Sequence, residues 1–166
     1  MSDIKFSDDA MKRYDQTLKR YPEKRAALIQ ILILAQKEFG WISEEVADYV
    51  GGLMGYSPAD VMSVASFYTM LHRKPVGKYH LDICRTLSCW LLGTYPCVDE
   101  MKRILGVDKE EITGDGMFSW NFTECLGSCG TAPTMQVNDR FFESLKPEKM
   151  GDIIEQLRSE AAEGKK

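Results

Sequence analysis

No stretch of this sequence is apolar for long enough to cross a lipid bilayer. The longest candidate, residues 26–35, has ten residues and includes the polar Gln30, whereas a membrane-spanning helix needs roughly 18 or more apolar residues. The amino-terminal segment is acidic and lacks both the apolar core of a signal peptide and the Arg-rich character of a transit peptide. The sequence therefore excludes a direct membrane span and predicts that the chain stays in the compartment where it is made.

Basic charge is also scarce. The 166 residues include 21 Lys and Arg against 25 Asp and Glu, for a net charge of −4. The few basic pairs are dispersed along the chain, so a nucleic-acid partner is not expected. The sequence has no glycine-rich dinucleotide loop, no phosphate-binding loop and no evident acid–base constellation. These absences argue against an enzyme that oxidises a dinucleotide unaided.

Cysteines are few and odd in number. Five cysteines in a chain without a secretion signal argue against a disulfide framework, because a reducing cytosol keeps thiols free. No Cys-x-x-Cys pair is present, which excludes a thioredoxin-type redox site. Metal or cluster binding is therefore the leading interpretation of the cysteines.

The first part of the chain has the pattern of helices only. Ser7, Ser43 and Ser57 stand where helix N-caps are expected, and Pro22 suits the first turn of the second helix. Gly40 is expected to end that helix. Apolar residues recur at helical spacing between these signals and predict a small four-helix bundle. Its core is expected to include four residues in and after the fourth helix: Met62, Phe67, Tyr68 and Met70.

Around residues 73–78 the apolar spacing changes from a period of about 3.6 to a period of about 2, and we place a domain boundary there. This gives a helical domain over 1–72 and a mixed domain over 73–166. The mixed domain is predicted to contain, in order, a strand at 79–84, a helix at 96–105, a strand at 118–122, a hairpin at 134–137 and 140–143, and a helix at 147–161. The predicted fold class is α+β.

Four of the five cysteines form two close pairs. Cys84 and Cys89 make the first pair, Cys125 and Cys129 the second, and 35 residues separate the pairs. Each iron of a [2Fe-2S] cluster takes two thiolates, so a protein must bring two pairs of sulfurs to adjacent points. Both pairs begin at the end of a predicted strand. The pattern therefore predicts one cluster or metal site built from two loops.

Zinc is the alternative metal, because it also accepts four thiolates, commonly with about two to four residues between paired ligands. A Rieske centre needs two histidine ligands, and neither His72 nor His80 stands with a cysteine pair in a suitable loop. The fifth cysteine, Cys97, lies on the apolar face of a predicted helix with Val98 and Met101. We therefore interpret Cys97 as a core thiol.

Three further motifs give the chain a resemblance to a known family. Residues 61–68 read Val-Met-Ser-Val-Ala-Ser-Phe-Tyr, residues 124–129 read Glu-Cys-Leu-Gly-Ser-Cys, and Ala-Pro at 132–133 precedes Val-Asn-Asp at 137–139. On these motifs, nearly the whole chain resembles the small iron–sulfur subunit of the NADH-oxidising module of respiratory complex I, the NuoE family. Arg85 and Cys97 are not typical of that family.

The resemblance implies a helical bundle followed by a thioredoxin-like [2Fe-2S] ferredoxin domain, with four cluster ligands: Cys84, Cys89, Cys125 and Cys129. It further implies docking on a larger, NuoF-like flavoprotein subunit that carries FMN, the NADH site and a [4Fe-4S] cluster, beside other subunits of the complex I peripheral arm. The cluster is then expected to exchange electrons with FMN. The expected location is the inner face of a bacterial cell membrane, or the mitochondrial matrix for a mature form.

Three alternatives stay open on the sequence. Small diaphorase subunits of NAD-reducing hydrogenases and NAD-dependent formate dehydrogenases are expected to carry the same motifs. A freestanding thioredoxin-like ferredoxin does not need the helical domain at 1–72, which we interpret as a docking element. A zinc-stapled interaction module has no redox role.

Overall fold

The structure, a computed structural model, describes residues 4–164. The chain divides into two compact units, one ending at Pro75 and the next beginning at Val76, near the change of periodicity at 73–78. The outer ends of the predicted domains, residues 1–3 and 165–166, lie outside the described residues. Within 4–164, no helix is long and apolar enough to span a membrane.

The described residues of the first unit form four helices: α1 (Asp8–Leu18), α2 (Lys24–Phe39), α3 (Glu44–Met54) and α4 (Pro58–Phe67). Ser7 and Ser43 are N-caps, and the hydroxyl of each accepts a hydrogen bond from the backbone N–H three residues later. Ser57 forms a reciprocal capping box with Asp60 at the start of α4. Such caps satisfy N–H groups that the first helical turn leaves unpaired. The three predicted N-caps are confirmed.

Pro22 does not lie in the first turn of α2, contrary to the prediction. Helix α2 begins at Lys24, so Pro22 belongs to the turn that precedes it. The backbone of Glu23, the N-cap, is extended, with a φ of −128° and a ψ of 139°, so the helix starts one residue after it. The predicted end of α2 is confirmed, because Gly40 follows it with a φ of 87°, a conformation that favours glycine.

The core of the first unit is formed by apolar side chains from its helices and the turns between them. Fully buried members include Ile31, Leu32, Ile42 and Val50. Two residues predicted for this core are instead exposed, Phe67 at 78% and Met70 at 56%. Helix α4 ends at Phe67 and the backbone of Tyr68 is extended, so helical spacing no longer decides where Met70 lies. Met62 and Tyr68 are partly buried against the core.

The described residues of the second unit form four strands and three helices: β1 (Tyr79–Cys84), α5 (Leu87–Leu91), α6 (Thr94–Leu105), β2 (Phe118–Thr123), β3 (Met135–Val137), β4 (Arg140–Phe142) and α7 (Met150–Ala162). Strands β1 and β2 are parallel and are joined through α5 and α6. Strand β3 is antiparallel to both β1 and β4, which gives the sheet order β2-β1-β3-β4. The predicted α+β class is confirmed.

Several element boundaries in this unit differ from the predictions. Helix α5 was not predicted, since five residues are too few to reveal helical periodicity. Helix α6 begins two residues before Pro96, because proline is tolerated within the first turn of a helix. A single 3₁₀ turn, Pro147–Lys149, precedes α7. The predicted hairpin is confirmed, with Asn138 at a positive φ of 52° between β3 and β4.

The sheet and helices α6 and α7 enclose the second core. Its fully buried members include Leu81, Met101, Phe118 and Leu157. Cys97 lies in this core at 2% exposure, as predicted for a core thiol. Burial, followed by the charge of Glu148, raises the pKa of the Cys97 thiol. His80 is also buried, and its Nδ1 lies 2.7 Å from the hydroxyl of Ser119.

Candidate iron–sulfur site

Both cysteine pairs begin at the same end of the sheet. Cys84, the last residue of β1, lies beside Thr123, the last residue of β2, in the parallel register of the two strands. Parallel strands carry their carboxyl ends at one edge, so the chain leaves β1 and β2 from neighbouring positions. We call residues 84–89 the first cysteine loop and residues 124–129 the second cysteine loop.

The two loops are in contact. The backbone N–H of Arg85 donates a hydrogen bond of 3.3 Å to the carbonyl of Thr123. The Sγ of Cys84 lies 3.5 Å from the carbonyl oxygen of Glu124, and the backbone N–H of Leu126 also donates to the Cys84 sulfur. The sulfur at the end of β1 therefore contacts the chain that follows β2.

Both cysteines of the first loop are buried. Cys84 is 3% exposed, and Cys89 on helix α5 is 2% exposed. Thr86 is the N-cap of α5, and its hydroxyl lies 3.2 Å from Cys84 Sγ. The short helix returns the chain toward β1, so the thiols of Cys84 and Cys89 are within hydrogen-bonding reach.

The two buried thiols have opposite pKa shifts. Burial acts to raise the pKa of Cys84, but hydrogen bonds from the Thr86 hydroxyl and from backbone N–H groups of both loops outweigh burial, and the pKa lies below its ordinary value of 9.0. Burial, followed by the hydrogen bond with Cys84, raises the pKa of Cys89 to about 11, and the charge of Cys129 adds to this rise. The pKa of Cys89 therefore depends on cysteines in both loops.

The second loop carries its two cysteines, Cys125 and Cys129, at the surface. Gly127 has a φ of 76°, which allows a tight turn, and its N–H donates a hydrogen bond of 3.4 Å to Cys125 Sγ. An N–H group directed at a ligand sulfur stabilises negative charge there, and such bonds tune the reduction potential of iron–sulfur clusters. Cys129 begins a 3₁₀ turn, Cys129–Thr131.

A carboxylate from the β3–β4 hairpin braces the second loop. Glu143, one residue past β4, accepts hydrogen bonds from the hydroxyls of Ser128 and Thr131, the latter at 2.6 Å. These hydrogen bonds, Ser128 first, lower the pKa of Glu143. Because Ser128 and Thr131 lie on either side of Cys129, Glu143 restrains the backbone that carries this cysteine.

The donor set fits a [2Fe-2S] cluster in its chemistry. All five cysteines are free thiols, and four of them lie as two pairs on adjoining loops. Among residues 4–164, no three His, Cys, Asp or Glu side chains converge as ligands of a single ion. A [2Fe-2S] cluster makes a different demand, two thiolates on each of two irons. The backbone N–H groups directed at Cys84 and Cys125 suit thiolate ligands of this kind.

Sequence reasoning missed several residues that shape this site. Thr86 carried a usable signal, because threonine is a common residue immediately before a helix, but the helix it caps is too short for periodicity to reveal. Glu143 carried no such signal, since it reaches the second loop only through the folded hairpin. The pairing of Arg85 with Glu124 likewise exists only after β1 and β2 have paired.

Fold and site together define an α+β protein of thioredoxin-like topology with two cysteine loops at one edge of its sheet. Two pairs of thiols held on adjoining loops are the donor set that a [2Fe-2S] cluster requires, so the arrangement defines an iron–sulfur protein of the ferredoxin class. The chain belongs to the thioredoxin-like [2Fe-2S] ferredoxin family, whose sequence model matches residues 14–158. Membership in this family confirms the predicted fold and the predicted [2Fe-2S] cofactor.

Curated relatives match the chain along almost its entire length. An NADH-quinone oxidoreductase subunit from Rickettsia bellii is 38% identical over 163 residues, which are 96% of this chain and 98% of that protein. A second NADH-quinone oxidoreductase subunit, from Thermus thermophilus, is 41% identical over 157 residues, which are 93% of this chain and 87% of that protein. The predicted resemblance is confirmed.

A solved structure gives a further likeness. A chain in the crystal structure of an air-oxidised NAD⁺-reducing [NiFe]-hydrogenase superimposes with a TM-score of 0.70 over 80% of this chain, at 17% sequence identity. This chain spans 23% of that chain's length. At such identity the likeness establishes a shared fold alone.

Proposed function

We propose that this chain is the small electron-transfer subunit of an NADH:quinone oxidoreductase, respiratory complex I, and that it exchanges electrons with FMN on a flavoprotein subunit. The observation that carries this proposal is the near full-length match, at 38% and 41% identity, to subunits of that enzyme. The alternative of a hydrogenase diaphorase subunit has weaker support, because the likeness to the hydrogenase is 17% in sequence and concerns the fold.

The four paired cysteines have distinct parts in this proposal. Cys84, Cys89, Cys125 and Cys129 hold the [2Fe-2S] cluster, which when bound supplies a one-electron donor and acceptor. The first loop shields its two sulfurs from water, since both are buried. The second loop presents its two cysteines at the surface, where electrons can enter or leave.

An apolar surface beside the first loop is the proposed contact with the flavoprotein subunit. Around the buried Cys89, four large side chains of the α5 segment are more than half exposed: Leu87, Trp90, Leu91 and Leu92. Contiguous exposed apolar side chains on a globular domain are typical of protein–protein interfaces. A partner that covers this α5 surface comes close to the cluster, which is what electron transfer from FMN requires.

The helical unit is proposed as a second docking element. Phe67 and Met70 are exposed at the end of this unit, although large apolar residues favour burial. Contacts made through both units hold the chain in the complex, so that it lies as a peripheral subunit at the cytoplasmic face of the membrane. Other peripheral-arm subunits share in this assembly.

Purification of the full chain under anaerobic, iron-replete conditions tests the cluster. The expected product is brown, with about two irons and two labile sulfides per chain. It is expected not to oxidise NADH alone, and to take part in NADH-dependent reduction of an artificial acceptor when co-expressed with the flavoprotein subunit. A colourless chain with one zinc ion, or NADH oxidation by the isolated chain, contradicts the proposal.

A substitution in the α5 surface tests the interface. Leu91→Asp is expected to abolish co-purification with the flavoprotein subunit while leaving the cluster absorbance intact, because Leu91 is 68% exposed. Phe141→Asp is the matched control, since Phe141 is 50% exposed on β4 of the same unit. Equal co-purification of the Leu91→Asp and wild-type chains rules out the α5 surface as the contact.

A further inference from the structure

An ion pair joins the two cysteine loops. Arg85 directly follows Cys84, and Glu124 directly precedes Cys125. The Nη2 atom of Arg85 donates to Oε1 of Glu124 at 2.5 Å. Each partner is therefore the immediate neighbour of a cysteine in a different pair, and the bond between them crosses from one loop to the other.

Arg85 is fixed on β2 by more than this bond. Its guanidinium lies over the ring of Phe122, 5.8 Å from the centroid, and its backbone N–H donates to the carbonyl of Thr123. Arg85 thus contacts three successive residues, 122 to 124: its guanidinium contacts the first and third, and its backbone N–H contacts the second. A guanidinium held in this way keeps its charge at a defined position beside the site.

Folding stability does not account for the pair. The side chains of Arg85 and Glu124 are 48% and 72% exposed, and an ion pair at such exposure adds little to the stability of a fold. The charges of the two side chains are expected to have a larger effect on the reduction of a nearby cluster. Reduction adds one negative charge to a cluster, so a nearby cation stabilises the reduced state and a nearby anion destabilises it.

We propose that Arg85 and Glu124 are a positioning pair that ties the first cysteine loop to the second, and that their opposed charges offset one another at the bound cluster, so that loss of either charge alone shifts the reduction potential. The inference rests on the proposed function in taking the site to hold a [2Fe-2S] cluster. Arg85 raises the potential, and Glu124 offsets this rise.

Redox titration of the full-length holoprotein, followed by electron paramagnetic resonance, tests the pair. Arg85→Gln is expected to lower the midpoint potential, Glu124→Gln to raise it, and the double variant to lie close to the wild type. A tenfold change in the ratio of oxidised to reduced cluster corresponds to about 59 mV for one electron. Both shifts are expected to shrink at high salt, because the pair is exposed.

Arg103→Gln is the matched control. Arg103 lies on α6, is 72% exposed and pairs with Glu100 at 2.6 Å, so its substitution removes a similar ion pair at a different place in the same unit. It is expected to leave the midpoint unchanged. Arg85→Lys keeps the charge and is expected to keep the midpoint near the wild-type value.

The proposal is overturned if Arg85→Gln and Glu124→Gln shift the midpoint no more than Arg103→Gln, or both in the same direction. If Arg85→Gln loses its cluster, Arg85→Lys decides: an intact cluster with an unshifted midpoint supports the pair, and a shifted midpoint contradicts it. A wild-type chain that binds zinc instead overturns the proposed function. Removal of that zinc by a chelator then tests the tie between the loops: faster loss from Arg85→Gln and Glu124→Gln than from Arg103→Gln supports it, and equal rates overturn it.

Discussion

Cys84 and Thr123 lie side by side as the last residues of two parallel strands. This one pairing brings two cysteine loops, far apart in the sequence, to a single edge of the sheet. The site therefore depends on strand pairing as much as on its ligands. Substitutions can be chosen that test the ligands, the bracing of the loops and the fold behind them separately.

Substitution by serine is expected to affect the cluster differently at the four paired cysteines and at the fifth. Serine at Cys84, Cys89, Cys125 or Cys129 is expected to remove or strongly perturb the visible absorbance, because a thiolate ligand is lost. Cys97→Ser is the internal control, expected to keep the spectrum and to lower the free energy of unfolding by about 0.5–3 kcal/mol. Loss of the cluster from folded Cys97→Ser protein means that the ligands have been wrongly assigned.

Glu143→Gln is expected to loosen the second loop. The variant loses the charge that strengthens the hydrogen bonds from Ser128 and Thr131. We expect an iron chelator to bleach its cluster absorbance faster than that of the wild type. Glu100→Gln, which removes a partly exposed, ion-paired carboxylate on α6, serves for comparison. Equal bleaching rates for all three proteins contradict a bracing role for Glu143.

Tyr79→Phe is expected to stabilise the second unit. The Tyr79 hydroxyl is buried and has no hydrogen-bond partner in the described part of the chain, and an unpaired buried hydroxyl costs roughly 1–3 kcal/mol. Phenylalanine keeps the stacking with Phe118, whose ring centroid lies 5.7 Å away. Urea unfolding is expected to give a free energy higher by about 1 kcal/mol. A less stable variant shows that the hydroxyl is hydrogen-bonded in solution.

Asp115 is expected to make the stability of the second unit depend on acid pH. Hydrogen bonds from the Thr113 hydroxyl and the Met117 N–H, helped by Arg158, lower the pKa of Asp115 from 3.8 to about 2. A pKa that is lower in the folded state stabilises the fold above the unfolded value, and this contribution is lost as the pH falls through the folded value.

The comparison for Asp115 is with Asp115→Asn, in urea unfolding at several pH values. The free energy of unfolding of the wild type is expected to exceed that of Asp115→Asn, and this difference, the margin, is expected to be largest at neutral pH. The margin is expected to shrink between pH 3.8 and about 2, the window set by the two pKa values. A margin that does not change across this window shows that the carboxylate charge does not stabilise the fold.

Local signals explain why much of the fold was predictable. Ser7, Ser43 and Ser57 cap helices through hydrogen bonds within three residues, so the sequence alone contains the whole interaction. Asn138 in the hairpin turn is a local signal of the same kind. Apolar–polar alternation marked β1 and β2 as strands, although their pairing joins distant residues. The paired spacing of the cysteines also pointed to the family that the comparisons establish.

Failures arose where distant segments decide the outcome. Phe67 and Met70 are large apolar residues of the kind that usually lie in a core. Both are exposed, because α4 ends at Phe67 and the helical spacing does not continue beyond it. Glu143 shapes the second loop only after the hairpin has folded against it. The spacing of residues along the sequence does not reveal such contacts, because they form only in the tertiary structure.

The contact between the two cysteine loops also bears on the resistance of the chain to unfolding and proteolysis. With the proposed ligands, a bound cluster would close the chain between residues 84 and 125 as a cross-link does. Cross-links that close loops of comparable size stabilise folded proteins by roughly 3–5 kcal/mol through the entropy of the unfolded chain. Iron loss removes this restraint and raises the population of unfolded molecules open to proteases. The iron-free chain is therefore expected to be digested by proteases faster than the cluster-loaded chain.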